Sequence, residues 1–163
     1  YKRQGYNIPE YLSKGFDMSI NFQPFCMGKF QHCKMLFNIT LSKLLNRKIT
    51  MLHSYKKYVK YRIKTPLPSY RQFPCVTPNF DNASRRMHKG FTAFIGSTPQ
   101  LYGKWLSSVF EKFKPYSQEE NFIFINAWNE WAEGNHLEPD QKWGRKYLEE
   151  TKKNGINIRS YTK

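Results

Sequence analysis

Apolar and polar positions alternate first between Gly15 and Pro24, where Phe16, Met18, Ile20 and Phe22 are separated by polar partners. A period of two predicts a short strand, and Pro24 stops it. Ahead of it, Tyr6 to Lys14 reads as a polar, turn-rich lead-in. From Lys29 to Asn46 the period lengthens: Met35, Leu36, Ile39, Leu41, Leu44 and Leu45 fall at helical spacing. A second helix is predicted from Met51 to Lys64, with Leu52, Tyr55, Val59 and Ile63 on one side and Pro66 and Pro68 beyond its end. Phe73 to Val76 is a short apolar run bounded by prolines, which suits a strand entering a loop.

Ser97-Thr98-Pro99 carries a hydroxyl cap and a first-turn proline, the signature of a helix start. Leu101, Trp105, Leu106, Val109, Phe110 and Phe113 then share one face, and Pro115 closes the helix. Phe122 to Trp128 (FIFINAW) is nearly continuous in apolar residues, as expected of a strand buried on both faces of a parallel sheet. A loop to Lys142 follows, then a helix from Trp143 to Lys153 ended by Gly155, with Ile156 to Ile158 opening another strand. Strands alternating with helices predict an α/β architecture with parallel strands.

Composition changes this picture in few respects. The 163 residues suffice for one domain with a core, and a 39% hydrophobic share is that of a globular chain. Lys and Arg outnumber Asp and Glu by 27 to 12, a formal charge of +15 that favours an anionic partner. The basic residues are spread along the chain, however. The densest run, Lys56, Lys57, Lys60, Arg62 and Lys64, has the pattern of a solvated helix face, and no nucleic-acid recognition motif accompanies it. Cys26, Cys33 and Cys75 are an odd number without metal-ligand spacing, which points to a reducing compartment and a cytoplasmic location. Two glycosylation-type tripeptides, at Asn38 and Asn82, are discounted without a secretory leader. No apolar run approaches the roughly 18 residues of a membrane span. The opening at Tyr1 reads as part of something longer.

Chemistry concentrates in Asn126 to Asp140, NAWNEWAEGNHLEPD. Glu130, Glu133, Glu138 and Asp140 share one loop with Trp128, Trp131, Asn129 and His136, directly after the most apolar strand. In parallel α/β folds such loops converge on one crevice at the carboxyl ends of the strands. Glu130 and Glu133 are three apart, so one tight turn can aim both at the same volume. Two facing carboxylates are what glycosidic chemistry needs, one as proton donor to the departing oxygen and one as base or nucleophile. The tryptophans offer stacking walls that exclude water. The spacing alone equally fits a capping or salt-bridging acidic loop. A metal held by Glu130, Glu133 and His136 is possible chemistry, but no ligand spacing demands one.

Three ordered blocks carry a resemblance over nearly the whole chain: GFDMSINFQP (Gly15 to Pro24), FPCVTPNFDNASRR (Phe73 to Arg86) and FINAWNEWAEGNHLEPDQKWGRKYLEE (Phe124 to Glu150). Together they resemble the WbsX-like glycosyltransferase family, which is related to glycoside hydrolase family 99. The resemblance implies the later part of a (β/α)8 TIM-type barrel, incomplete on its N-terminal side, with residues 1–163 as the C-terminal portion of one catalytic domain. It also implies work on carbohydrate in bacterial surface polysaccharide metabolism, O-antigen or capsule, without a cofactor.

Carried over residue by residue, Glu130 is the base that deprotonates the substrate's 2-hydroxyl, which attacks the anomeric carbon. Glu133 is the general acid/base at the glycosidic oxygen. Asn129 orients sugar hydroxyls, with Trp128, Trp131, His136 and Glu138 around them. Asp81, Asn82 and Arg85 lie in a loop after a short strand and reach sugar hydroxyls or a phosphate, or else cap a turn. Asp17 and Gln23 are further candidates for the cleft. The expected partner is a glycan, including a lipid-linked or nucleotide-activated sugar, with no nucleic acid and no membrane span. The chain departs from the family in lacking its aromatic-rich N-terminal half, in Asn79 where a small residue is usual, and in Lys56 where an acidic one is. A catalytically inactive remnant or a glycan-binding module is the alternative.

Overall fold

The computed structural model describes residues 8–24, 50–86 and 90–159, with the isolated positions 37, 40, 41 and 44. The helix expected over Lys29 to Asn46 therefore lies almost wholly outside the described residues, as do Cys26 and Cys33. Three short strands form one parallel sheet in the order β1 (Ser19–Asn21), β3 (Gln72–Val76), β5 (Phe124–Ile125). A separate parallel pair joins β2 (Met51–Ser54) to β4 (Thr92–Ile95). The helices are α1 (Ile8–Ser13), α2 (Tyr55–Lys64), α3 (Ala83–Arg86), α4 (Pro99–Lys112) and α5 (Lys146–Arg159).

β3 is the central strand and every one of its residues is buried. Its first three residues pair with β1, Ser19 opposite Gln72 through Asn21 opposite Pro74. Its last two pair with β5, Cys75 opposite Phe124 and Val76 opposite Ile125. Pro74, which has no N–H to give, sits where pairing passes from one neighbour to the other. β2 and β4 belong to the connections after β1 and β3, and each leads toward a helix, α2 and α4.

Several expectations need correction. The lead-in contains α1, with Glu10 in its first turn. Met51 to Lys64 is not one helix: Ser54 accepts a hydrogen bond from the Lys57 N–H at 3.3 Å, so its hydroxyl caps α2 and the four residues before pair with β4. The apolar spacing from Leu52 to Ile63 thus mixes a strand period with a helix period. Phe122 to Trp128 is not a strand buried on both faces; only Phe124 and Ile125 pair, and Phe122 and Phe124 stay exposed because no second layer covers them among the described residues. Gly155 does not end the last helix, which runs to Arg159 and takes in the strand expected at Ile156 to Ile158. β4 was missed, its four residues being too few for a period. The Thr98 cap and Pro99 start of α4 are as expected: Leu101 N–H donates to the Thr98 hydroxyl at 3.3 Å.

The core fills the space between the strands and the row α2, α4, α5. Trp105 of α4, 1% exposed, meets Tyr58 of α2 edge-on at 5.6 Å and 90°. Tyr58 also lies 4.7 Å from Phe94 of β4, and Tyr102 of α4 lies 5.6 Å from Tyr147 of α5. Such tilted and edge-on pairs add to the burial of the rings themselves. Burial pushes the hydroxyls of Tyr55, Tyr102 and Tyr147 above the ordinary tyrosine range. Tyr55 still finds a partner, donating to the Thr77 carbonyl at 2.7 Å. Phe73 gathers a second aromatic group, Phe113, Tyr116, Phe122 and Phe124, at centroid distances of 5.5–6.1 Å. No described helix is long and apolar enough to cross a membrane.

Candidate functional site

The carboxyl ends of the three sheet strands are tied together by polar groups. Asn126, just past β5, donates its N–H to the Val76 carbonyl at 2.9 Å and its side-chain amide to the Gln23 carbonyl at 2.8 Å. Gln23, fully buried, donates to the Asn21 backbone carbonyl and accepts from the Tyr58 hydroxyl. Gln23 therefore ties β1 to α2 and is closed off from solvent. Asp17 precedes β1 and lies exposed at the amino end of the sheet, away from the loops after β3 and β5.

Beyond Asn126, whose peptide to Ala127 is cis, the chain makes a small hairpin. β6 (Asn129–Glu130) pairs antiparallel with β7 (Asn135–His136), and a 3-10 turn (Trp131–Glu133) joins them through Gly134. Gly134 has φ +55, a left-handed conformation in which a glycine avoids the strain of a side chain. This tight turn brings Glu130 and Glu133 onto one side.

Their common partner comes from α3, 45 to 48 residues earlier. Arg85 donates through Nη2 to Glu130 Oε1 and through Nη1 to Glu133 Oε1, both at 3.1 Å. One planar guanidinium thus spans the pair, a geometry lysine cannot supply. The three side chains are partly open to water, 49% for Arg85, 35% for Glu130 and 25% for Glu133, so a substrate can reach them.

The stub that presents Arg85 is stitched to the hairpin. Asp81 donates its N–H to the Glu133 carbonyl at 2.6 Å and accepts the Ala83 N–H on Oδ1 at 2.9 Å, which starts α3. Asn82 accepts the Thr92 N–H at 2.8 Å, holding the loop to β4. Ser84 donates its hydroxyl to the Ala132 carbonyl at 2.6 Å. Asp81 and Asn82 are thus engaged with backbone, while Arg85 reaches the carboxylates.

The remaining candidates surround the hairpin. Trp128 is exposed, and its carbonyl accepts from the Leu137 and Glu138 N–H groups. Asn129 is exposed on β6. Trp131 stacks on His136 at 3.7 Å and 15° and donates its indole N–H to Glu138 at 2.5 Å. His136 Nε2 lies 3.2 Å from Asp140 Oδ2, and Asp140 also accepts the Trp143 N–H. Among the described residues no three His, Cys, Asp or Glu side chains are grouped to hold a metal.

Sequence reasoning missed Asn135, the hairpin's buried anchor. It contacts the Thr77 hydroxyl at 2.8 Å, while that hydroxyl also lies 2.6 Å from the Asn79 carbonyl. Thr77 has one proton for these two acceptors, and Asn135 Nδ2 faces no partner in that orientation. We assign the amide the other way round, Nδ2 donating to Thr77 and Thr77 donating to Asn79. A polar residue directly after a Glu-Gly turn is the one signal that pointed to it.

A groove of about 820 Å³ lies beside the hairpin, lined by Trp131, His136 and Trp143 and by residues of β2 and β4. Glu130, Glu133 and Arg85 are outside its lining, whereas Trp131 belongs to it, as does Asp81, whose N–H holds the Glu133 carbonyl.

No solved structure matches the chain. Two WxcX proteins of uncharacterized function, from two strains of Xanthomonas campestris pv. campestris, are each 30% identical to it over 152 residues. That stretch is 91% of this chain and 21% of each relative, so the chain spans about a fifth of their length. The profile of the glycosyltransferase WbsX family matches residues 2–151, from ahead of the first helix through the carboxylate hairpin and into the last helix, and the chain belongs to that family.

Proposed function

We propose that this chain supplies the catalytic carboxylates of a carbohydrate-active enzyme that makes or breaks glycosidic bonds in bacterial surface polysaccharide, O-antigen or capsule, in the cytoplasm. The observation that carries the reading is the fork of Arg85 on Glu130 and Glu133, which fixes two carboxylates side by side at the carboxyl ends of parallel strands. Membership of the WbsX family supports it. The barrel expected of this family is part of the proposal. Its supports are the parallel order β1, β3, β5, the helices α2 and α4 between successive strands, and the stagger of pairing along β3, which a tilted, closing sheet requires.

In the proposed reaction Glu130 takes the proton of the 2-hydroxyl and that oxygen bonds to the anomeric carbon. The bond from this carbon to the departing oxygen breaks, and Glu133 gives that oxygen its proton. An incoming hydroxyl or water then opens the strained ring, returning a proton to Glu133 as the 2-oxygen recovers its own from Glu130. Each carboxylate is engaged through Oε1, so substrate meets Oε2 or displaces the guanidinium. The test uses Glu130→Gln and Glu133→Gln in the full protein, offered nucleotide-activated sugars, lipid-linked sugars and aryl glycosides. Each variant should lose about 10²–10⁴-fold in turnover, the usual worth of acid or base catalysis. Turnover kept by either variant would overturn the assignment.

A non-catalytic glycan-binding reading draws on the same fork, since Arg85 balances charge on both carboxylates. Sugar binding without turnover by the unaltered full protein would select it.

A further inference from the structure

Trp131 lies between Glu130 and Glu133 in the chain, yet its ring borders a space that neither carboxylate lines. We propose that the groove behind Trp131 is a second glycan subsite, holding the sugar units next to the bond at the carboxylate pair. The inference rests on the reading of that pair given above.

The groove's volume of about 820 Å³ is within the range of spaces that enclose small ligands. One wall is the face of the β2–β4 pair. Its register sets Leu52 opposite Ala93 and Ser54 opposite Ile95, so Leu52 and Ile95 share that face. Both are 56% exposed, so two aliphatic side chains stand open to solvent on the one face that borders the groove. Trp131 and Trp143 also line the space, and Asp81, Asp140 and Lys142 give it polar groups. Flat apolar surfaces with a few polar groups match a pyranose, which packs its C–H face on the former and turns hydroxyls to the latter.

Local charge separates this ligand from a polyphosphate. The chain as a whole is +15, but the charged side chains lining the groove balance one another: Asp81 and Asp140, the latter held by His136, against the ammonium of Lys142, with Lys146 over the Trp143 ring. A nucleic-acid backbone finds no excess of positive charge there to hold its phosphates. A neutral glycan needs none, and the lone pairs these carboxylates keep beyond their Ala83, Trp143 and His136 partners can accept its hydroxyl protons.

The experiment uses the full protein with Leu52→Arg and Ile95→Arg, which lay a long charged side chain across the apolar wall from positions already open to solvent. Fluorescently labelled oligosaccharides of graded length are chosen from the responders on a printed array of bacterial glycans, and thermal melting checks that the variants fold. Each variant should weaken the longer oligosaccharides by about tenfold, 1.4 kcal/mol, while the shortest keep their affinity. Unaltered affinity for long chains in both folded variants overturns the proposal, as does an array without a responder. Labelled DNA that binds and is released by the same substitutions also overturns it. Turnover that survives Glu130→Gln removes the catalytic reading but leaves a length-dependent loss at Leu52 and Ile95 standing. Loss of turnover in Glu130→Gln with unaltered long-chain affinity in the arginine variants does the reverse.

Discussion

Replacing Thr77 by Val keeps the shape of a β-branched side chain and removes one hydroxyl. That hydroxyl lies between the Asn79 carbonyl at 2.6 Å and the Asn135 side-chain amide at 2.8 Å. Asn135 is fully buried, so water cannot replace the missing partner, and leaving such a group unsatisfied costs about 1–3 kcal/mol. For a chain of 163 residues each kcal/mol moves the melting temperature by about 2–4 °C, so the expected fall is about 2–12 °C. The assay is calorimetric melting of wild type, Thr77→Val and Thr77→Ser. Serine keeps the hydroxyl and gives up only a methyl group, so its loss should be the smaller. Equal losses in the two variants would show that the methyl group holds this point as much as the hydroxyl does, against the reasoning. A Val variant melting with the wild type would refute the reasoning outright. Because Asn135 begins the strand paired with β6, the Val variant should also lose turnover beyond what its melting temperature explains.

Two other perturbations probe the same architecture. Gly134→Ala forces a side chain into a left-handed conformation and sets a Cβ 3.1 Å from that of Asp81, so it should cost about 1–2 kcal/mol in melting experiments; an unchanged melting temperature would contradict the turn geometry. Tyr55, Tyr102 and Tyr147 have their hydroxyls raised by burial from the ordinary value of 10.0, so their contribution to stability is complete below about pH 10. Above it the unfolded chain releases these protons while the folded chain keeps them, and each such tyrosine removes about 1.4 kcal/mol per pH unit. Denaturant midpoints that stay level well above pH 10 would contradict this, and Tyr147→Phe should flatten the decline.

What was legible in the sequence follows from how local each signal is. The start of α4 needs only Thr98 and Pro99, and the chemistry of the hairpin is confined to residues 126–140, so both can be read from neighbours along the chain. Arg85 could be named as a candidate, but its fork on two carboxylates more than forty residues later depends on Asp81, Asn82 and Ser84 anchoring α3 to other segments. No spacing encodes that. The split of Met51 to Lys64 into strand and helix failed for a different reason: β2 acquires its pairing only from β4, and its apolar residues happen to continue the phase of α2. Phe124 and Ile125 show the converse, an apolar run that reads as fully enclosed while, among the described residues, it pairs with one neighbouring strand.

The pairing of β2 with β4, together with the packing of Tyr58 on Trp105, joins two excursions from the central sheet, one following β1 and the other following β3. Any attempt to redirect the protein toward a new glycan by transplanting one of these excursions would break four register pairs and leave an orphaned strand edge beside the groove. The two therefore form a single inheritable cassette: recombination between relatives should succeed when both are exchanged from the same parent and fail when they come from different ones.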